Sequence, residues 1–404
     1  MDHYKIIIFC EHAVETLTYF SRQLAHAFAA WGYEVFWLDF DLLGLSAWKM
    51  HQAVLNKEAV LITFNFIGLS GEEELWELDE DGIPVISIWE KLGIRCFNIM
   101  VDHPIYYYQA LCHAVPDMHA FCVDRDHTAY MKRFYPGIKC EFLPLAGNLV
   151  MEDFDRENDF AHFMARPYGL VFTANYVPVA NIERQLMQLE PEYRKFYYEI
   201  IESFLANPGQ DLLSCIEFYM RREIPDLDDA GLCEGMSTMP AVDLWVRTYF
   251  REKTVRILAE GGIPVYIIGK DWEQITCKNP ENVISCGHMA NSIECVHAMA
   301  QGKLALNTMP WFKDGAHDRV FTAMLQGAAV FTDGSTYLKE QFADGESLFY
   351  YDLDKLETLP QQAEELLNNP QRLYDAACCG TVLARRFHTW ECRAEVLRRY
   401  IEEV

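Results

Sequence analysis

The sequence predicts an α/β protein of two Rossmann-like, doubly wound domains facing a central cleft, the second carrying a helical insertion. Three observations lead there. Short apolar runs alternate with amphipathic stretches, which is the pattern of a parallel sheet covered on both faces. That rhythm occurs twice along 404 residues, a length that favours two or three domains. Between the two runs lies a charged stretch, MEDFDRENDF at 151–160, without an apolar period.

The first domain spans 1–150, with strands expected at 5–10, 34–40, 59–64, 95–101, 120–123 and 140–145. Leu17, Phe20, Leu24 and Phe28 recur at helical spacing after the first strand, and Gly32 marks that helix's end. Residues 151–167 read as a linker. The second domain spans 168–384 and opens with a strand at 169–174. A segment at 182–258, rich in Leu, Tyr, Phe and charge, reads as inserted helices with a loop around 225–240. Strands then resume at 264–268, 283–285, 304–307, 328–332 and 347–351, and 385–404 reads as a closing helix. In open parallel sheets ligands bind outside the carboxyl ends of the strands, so the residues just after each strand are the candidates for chemistry.

Composition narrows the partners. A formal net charge of -26 repels phosphate backbones and anionic lipid, which points away from nucleic acid and membrane surfaces. A small anion remains compatible, because a few local cations and a helix N-terminus suffice to hold it. No apolar run reaches the roughly 18 residues of a membrane span. MDHYKIIIFCEH reads as a first strand and not as a signal peptide, so the expected location is the cytoplasm. The 13 cysteines form no CxxC pair and are expected to be reduced. No HxxxH or HxH arrangement occurs, and the DxD spacing of Asp39-Phe40-Asp41 falls at a strand edge and reads as chance. Neither a metal nor a cofactor is expected. GxGxxG, GxxxxGK[ST] and GxSxG are all absent, which argues against dehydrogenase, nucleotide-hydrolase and α/β-hydrolase chemistry.

The most informative segment is LALNTMPWFKDGAHDRVFTAMLQGAAVFTDG at 304–334. It reads as strand, loop, helix, glycine turn, strand. Asp318 is the expected N-cap and Gly327 the helix end. His317 and Arg319 thereby reach a helix N-terminus, where free N–H groups and a partial positive charge suit a phosphate. On the residues alone, Arg319 serves equally as an anion ligand or as a partner of Asp314 or Asp318.

Gly269-Lys270-Asp271-Trp272 follows the strand at 264–268 and offers close backbone approach and a cation; an ordinary turn is the alternative. His288 follows the strand at 283–285, as a base-side contact or a plain loop histidine. In the first domain Glu11 and His12 follow the first strand. Either is able to take a proton from an acceptor hydroxyl, and Glu11 equally suits a helix N-terminus. His103, after the strand at 95–101, is the third candidate, with core packing as its alternative. Of the run Tyr106-Tyr107-Tyr108, at most one or two rings can face a ligand.

Four motifs in the second half resemble group 1 glycosyltransferases of the two-domain GT-B type, nearest their spore-maturation (CgeB-type) branch. They are Gly269 with Trp272 after a strand, Leu306-Asn307 closing a strand, Arg319 to Gly327 on a helix, and His388-Thr389-Trp390 with Arg393 at the end. The resemblance covers about 260–400. It implies sugar transfer from a nucleotide-sugar donor to a hydroxyl of a glycan, protein or small molecule, without a metal and with retention at the anomeric carbon. It implies donor contacts from Gly269, Lys270, Trp272, His288, Asn307, Asp314, His317, Arg319 and Thr322, and catalytic groups at His103, Glu11 and His12. One position departs. Where the wider family has a second carboxylate eight residues after the first, often on the donor ribose, this chain has Thr322 after Asp314. A hydroxyl cannot accept from two ribose hydroxyls as a carboxylate does, so a catalytically silent sugar-nucleotide binder is the alternative reading.

Overall fold

Two parallel sheets organise the chain. The computed structural model describes residues 5–82, 84–150 and 159–402. It divides into unit 1, Met1–Leu145 with Thr389–Val404, and unit 2, Ala146–His388.

Unit 1 begins with β1 (Lys5–Glu11), α1 (Glu15–Ala30), β2 (Glu34–Asp39), α2 (Leu43–Val54) and β3 (Glu58–Phe64). A small antiparallel pair follows, β4 (Trp76–Leu78) and β5 (Pro84–Ser87). Then come α3 (Ile88–Leu92), β6 (Arg95–Met100), α4 (Tyr108–Cys112), β7 (His119–Cys122), α5 (Arg125–Phe134) and β8 (Lys139–Phe142). The six main strands lie in the order β2-β1-β3-β6-β7-β8, all parallel. Ile6, Ile7, Ile8 and Phe9 are all buried, as a strand covered on both faces requires. The predicted α1 stripe of Leu17, Phe20, Leu24 and Phe28 is buried as well.

In unit 2, α6 (Phe160–Ala165) precedes β9 (Tyr168–Thr173). Residues 151–158 of the expected linker lie outside the described residues. The rest of it is partly helical, because Asp159 caps α6 by accepting from the His162 N–H at 2.8 Å. Five helices follow β9: α7 (Val179–Leu186), α8 (Pro191–Ala206), α9 (Leu212–Glu223), α10 (Asp229–Ser237) and α11 (Pro240–Glu260). The loop expected around 225–240 therefore contains a helix, started by Asp228 accepting from the Gly231 N–H at 2.8 Å. Strand and helix then alternate through β10 (Val265–Ile268), β11 (Val283–Ser285), α12 (Ser292–Gln301), β12 (Gly302–Asn307) and α13 (Asp318–Leu325). The unit closes with β13 (Ala329–Asp333), α14 (Thr336–Gln341), β14 (Phe349–Tyr351), α15 (Leu359–Leu367) and α16 (Pro370–Phe387). The parallel order is β11-β10-β9-β12-β13-β14, so the winding reverses between β9 and β12. A ligand crevice belongs at the carboxyl ends of those two strands.

The last helix, α17 (Trp390–Glu402), belongs to unit 1. Trp390 packs 4.8 Å from Phe20, and the buried Arg393 donates to the carbonyls of Pro144 and Leu145. Two residues of the terminal motif are thus structural anchors. Among the described residues no helix is long and apolar enough to cross a membrane.

Candidate functional site

Unit 2 gathers cations at the carboxyl edge of its sheet. The loop after β12 brings the chain to α13, whose N-cap is His317 and not Asp318. His317 Nδ1 lies 2.8 Å from Asp318 Oδ1 and 3.2 Å from the Arg319 backbone nitrogen. A single nitrogen cannot both donate to the carboxylate and accept from the N–H, so the tautomer decides which bond exists. Burial, then the Arg319 charge, lowers the His317 pKa below its ordinary value and favours the neutral ring. Asp318 is held below the usual carboxylate range: burial pushes it up, but His317, Arg319 and the Asn148 amide outweigh that.

Arg319 is only 9% exposed. Its Nη1 donates to Asn307 Oδ1 at 3.1 Å, and Asn307 donates in turn to Thr332 Oγ1 at 2.9 Å. Phe172 of β9 lies under the guanidinium at 5.3 Å, a cation–π contact. The side chain is therefore held from two sides by β9, β12 and β13. Its charge has a fixed position, which is what electrostatic stabilisation of an anion needs.

Two further arginines join it from α11, and the sequence reading missed both. Arg247 Nη2 is 2.5 Å from Asp243 Oδ2, and its guanidinium lies 4.5 Å from the Trp311 ring. Arg251 donates to the Asn175 carbonyl, just after β9, at 3.4 Å. Asp243, Arg247 and Arg251 share one face of α11 by their spacing of four. That spacing was visible in the sequence, yet it equally describes a solvated ion-paired surface.

The other predicted donor residues take varied positions. A Cβ at Gly269 would collide with the Ala174 carbonyl, so the glycine permits close approach of β9 and β10. The Lys270 backbone N–H donates to Asn175 Oδ1 at 3.0 Å, while its ammonium is 3.8 Å from Asp271 and half-exposed. Trp272 is fully buried and donates to the Ala174 carbonyl at 2.7 Å, a packing position. His288 is exposed and lies 3.2 Å from Glu294. Asp314 is partly buried in the loop before α13. The buried Thr322 hydroxyl donates to the Asp318 carbonyl at 2.9 Å and accepts from the Asn148 N–H at 3.0 Å. Its donor and one of its two acceptor lone pairs are thereby engaged within unit 2.

In unit 1, Glu11 closes β1 and pairs with Arg22 at 3.6 Å. His12 has a left-handed backbone (φ 64°), and its Nδ1 is 2.8 Å from Asp39 Oδ1 and 3.6 Å from Asp41. The bond to Asp39 and the surrounding carboxylates raise the His12 pKa. Glu11, His12 and Asp39 put donor atoms within 4.8 Å of one another, a spacing a cation can use. His103 is buried. It caps the turn that follows β6 by accepting from the Ile105 N–H at 3.0 Å, and it packs edge-on to His127 at 4.3 Å.

Residues 247–399, which include Arg247, Arg251 and Arg319, match the protein-family model described as glycosyl transferase-like. No curated protein matches the chain. Its structure is similar to sucrose-phosphate synthase from Thermosynechococcus elongatus, with TM-score 0.54, 11% identity, and coverage of 99% of this chain and 98% of that one. Anabaena HepE in complex with UDP-glucose is similar at TM-score 0.54 and 9% identity, covering 99% and 100%. OtsA in its apo form is similar at TM-score 0.56 and 8% identity, covering 99% of each chain. At such identities the likeness establishes the fold, which is the two-Rossmann-domain GT-B fold.

Proposed function

We propose that this chain is a glycosyltransferase that moves a sugar from a nucleotide-activated donor to an acceptor hydroxyl. The observation that carries this reading is the fixed Arg319 guanidinium at the first turn of α13, inside the segment that matches the glycosyl transferase-like model. When the bond between sugar and phosphate breaks, negative charge builds on the leaving phosphate oxygen. Arg319, the α13 N-terminus and the Lys270 ammonium are the groups that stabilise it. The fixed Arg319, with the helix terminus and Lys270, supplies the charge that a metal supplies elsewhere, so transfer proceeds without one. The UDP-glucose complex of the HepE neighbour makes a uridine diphosphate sugar the first donor to try.

The acceptor is a hydroxyl of a glycan, a protein or a small molecule, and Glu11, His12 and His103 are its proposed catalytic partners. Of the three, the exposed His12, whose Nδ1 is held by Asp39, is the one proposed to take the proton. Resemblance to the wider group 1 superfamily favours retention, which the anomeric proton of the product reports. Arg319→Ala should lower nucleoside-diphosphate release at least about a hundredfold, the scale of losing one fixed donor, with the circular dichroism of the native chain. Unchanged turnover would sink the assignment.

The internal bonding of Thr322 favours a second reading, a silent sugar-nucleotide binder. Calorimetric binding of donor without any release of nucleoside diphosphate, across an acceptor panel, would select it.

A further inference from the structure

Arg251 of α11 differs from Arg247 in having no carboxylate partner among the described residues, although both carry a buried Nε without a hydrogen bond. The one contact of Arg251 to a backbone oxygen, Asn175, is long at 3.4 Å. Among the described residues no carboxylate lies within ion-pairing distance of it. The charges it faces are Arg319 and Arg247. Asp243 is engaged by Arg247, and Asp318 by His317 and Asn148. The Arg251 residue as a whole is partly exposed, and a charge drawn even partly out of water without a counter-ion is costly, so a folded chain tends to pair it. Here three guanidinium groups converge at the winding reversal of a parallel sheet, where ligands bind.

We propose that Arg251 is a phosphate ligand of the donor, held in place by the Asp243–Arg247 pair, so that α11 of the helical insertion belongs to the donor site and selects a diphosphate over a monophosphate. The identity of the ligand rests on the glycosyl-transfer reading. Arg319 and the α13 N-terminus meet one phosphate, and Arg251 meets the second. Arg247 is a positioning residue: clamped to Asp243 and stacked on Trp311, it sets the face of α11 toward the sheet edge. Burial and the two neighbouring guanidiniums push the Arg251 pKa down to about 9, and a bound phosphate would relieve that repulsion.

The test uses the full chain, with UDP, UMP and inorganic pyrophosphate as probes in titration calorimetry, alongside thermal melting without ligand and an assay of sugar transfer. The variants are Arg251→Gln, Arg251→Lys and, as a control elsewhere on the helix, Lys253→Gln. R251Q should weaken UDP and pyrophosphate by about ten- to a hundredfold, the scale of a charge-assisted hydrogen bond. UMP should weaken by less than about threefold, since the monophosphate lacks the group that Arg251 holds. Without ligand R251Q should melt no lower than the native chain, because an uncompensated charge has been removed; an arginine with a merely structural role would lower the melting temperature. R251K should recover part of the affinity and K253Q should match the native chain. Native UDP affinity in R251Q, with transfer intact, overturns this proposal and leaves the glycosyl-transfer reading standing. Pyrophosphate binding lost in R251Q, from a native chain that transfers no sugar, does the reverse. A native chain that binds neither UDP nor pyrophosphate overturns the phosphate ligand outright.

Discussion

Asp333 ends β13, and its buried carboxylate accepts from the Met309 N–H at 2.8 Å. Burial raises its pKa from 3.8 to about 6 despite that bond. The unfolded chain releases this proton near 3.8 and the folded chain near 6, so stability falls as pH rises between those values. The loss is about 3 kcal/mol by linkage. Asp333→Asn keeps an acceptor for Met309 and cannot ionise. It should therefore resist urea better than the native chain at pH 7.5 and no better below pH 4, on the same linkage argument. His12 has the opposite sign. Its Asp39 bond raises its pKa above 6.5, so what the pair contributes is full below 6.5 and fades as pH climbs through the raised value. Asp39→Asn should lower the His12 pKa, read from its ring proton by NMR, and an unchanged titration would mean that the pair does not form. At this scale the site was half legible. Arg319 could be found because an apolar strand, a loop and a helix start precede it in order. Arg251 could not, because a helix-interior arginine four residues after another reads as surface until the packing of α11 is known.

Elements were legible where their apolar residues ran unbroken. Strands such as β1 and β12 declare themselves because a strand buried on both faces has no polar alternation to confuse with a helix. The short pair β4 and β5 lies in an acidic stretch and has too few residues to show a period. The helix α10 was hidden between prolines 225 and 240, which read as loop punctuation, although its cap Asp228 is a standard start signal. Two substitutions test how the elements are joined. Gly269→Ala would drive a methyl group into the Ala174 carbonyl, backbone that cannot swing aside. Overpacking of that kind costs about 1–3 kcal/mol, so the melting temperature should drop, whereas an ordinary turn would tolerate the change. Trp390→Ala would leave a cavity beside Phe20 and Phe64. It should destabilise the chain by about 3–5 kcal/mol, measured by urea unfolding. A loss under about 1 kcal/mol would mean that α17 does not anchor unit 1 through this residue.

At the scale of the whole chain, 60 acidic residues against 34 basic ones repel any nucleotide at a distance. Screening confines that repulsion to roughly 8 Å at physiological salt. An anion site in such a molecule has to act at short range, from cations that the fold has already fixed. The candidate residues are far apart in sequence: the cations Arg247 and Arg251 on α11 and Arg319 at the start of α13, with the neutral Asn307 and His317 bonded to Arg319. They become neighbours only because β9 stands between β10 and β12, so that Arg251 of α11 and the start of α13 both reach the carboxyl ends of β9 and β12. Ligand binding should therefore leave a discontinuous footprint in hydrogen exchange. Saturating UDP should slow exchange in peptides covering 243–255 and 305–322 together, because a ligand that ties two elements raises the free energy of opening either one. Peptides of α15 and α16, which contribute none of these side chains, should exchange as before. Protection in 305–322 alone would place the phosphates on α13 without α11, and protection in neither segment would remove unit 2 as the donor site.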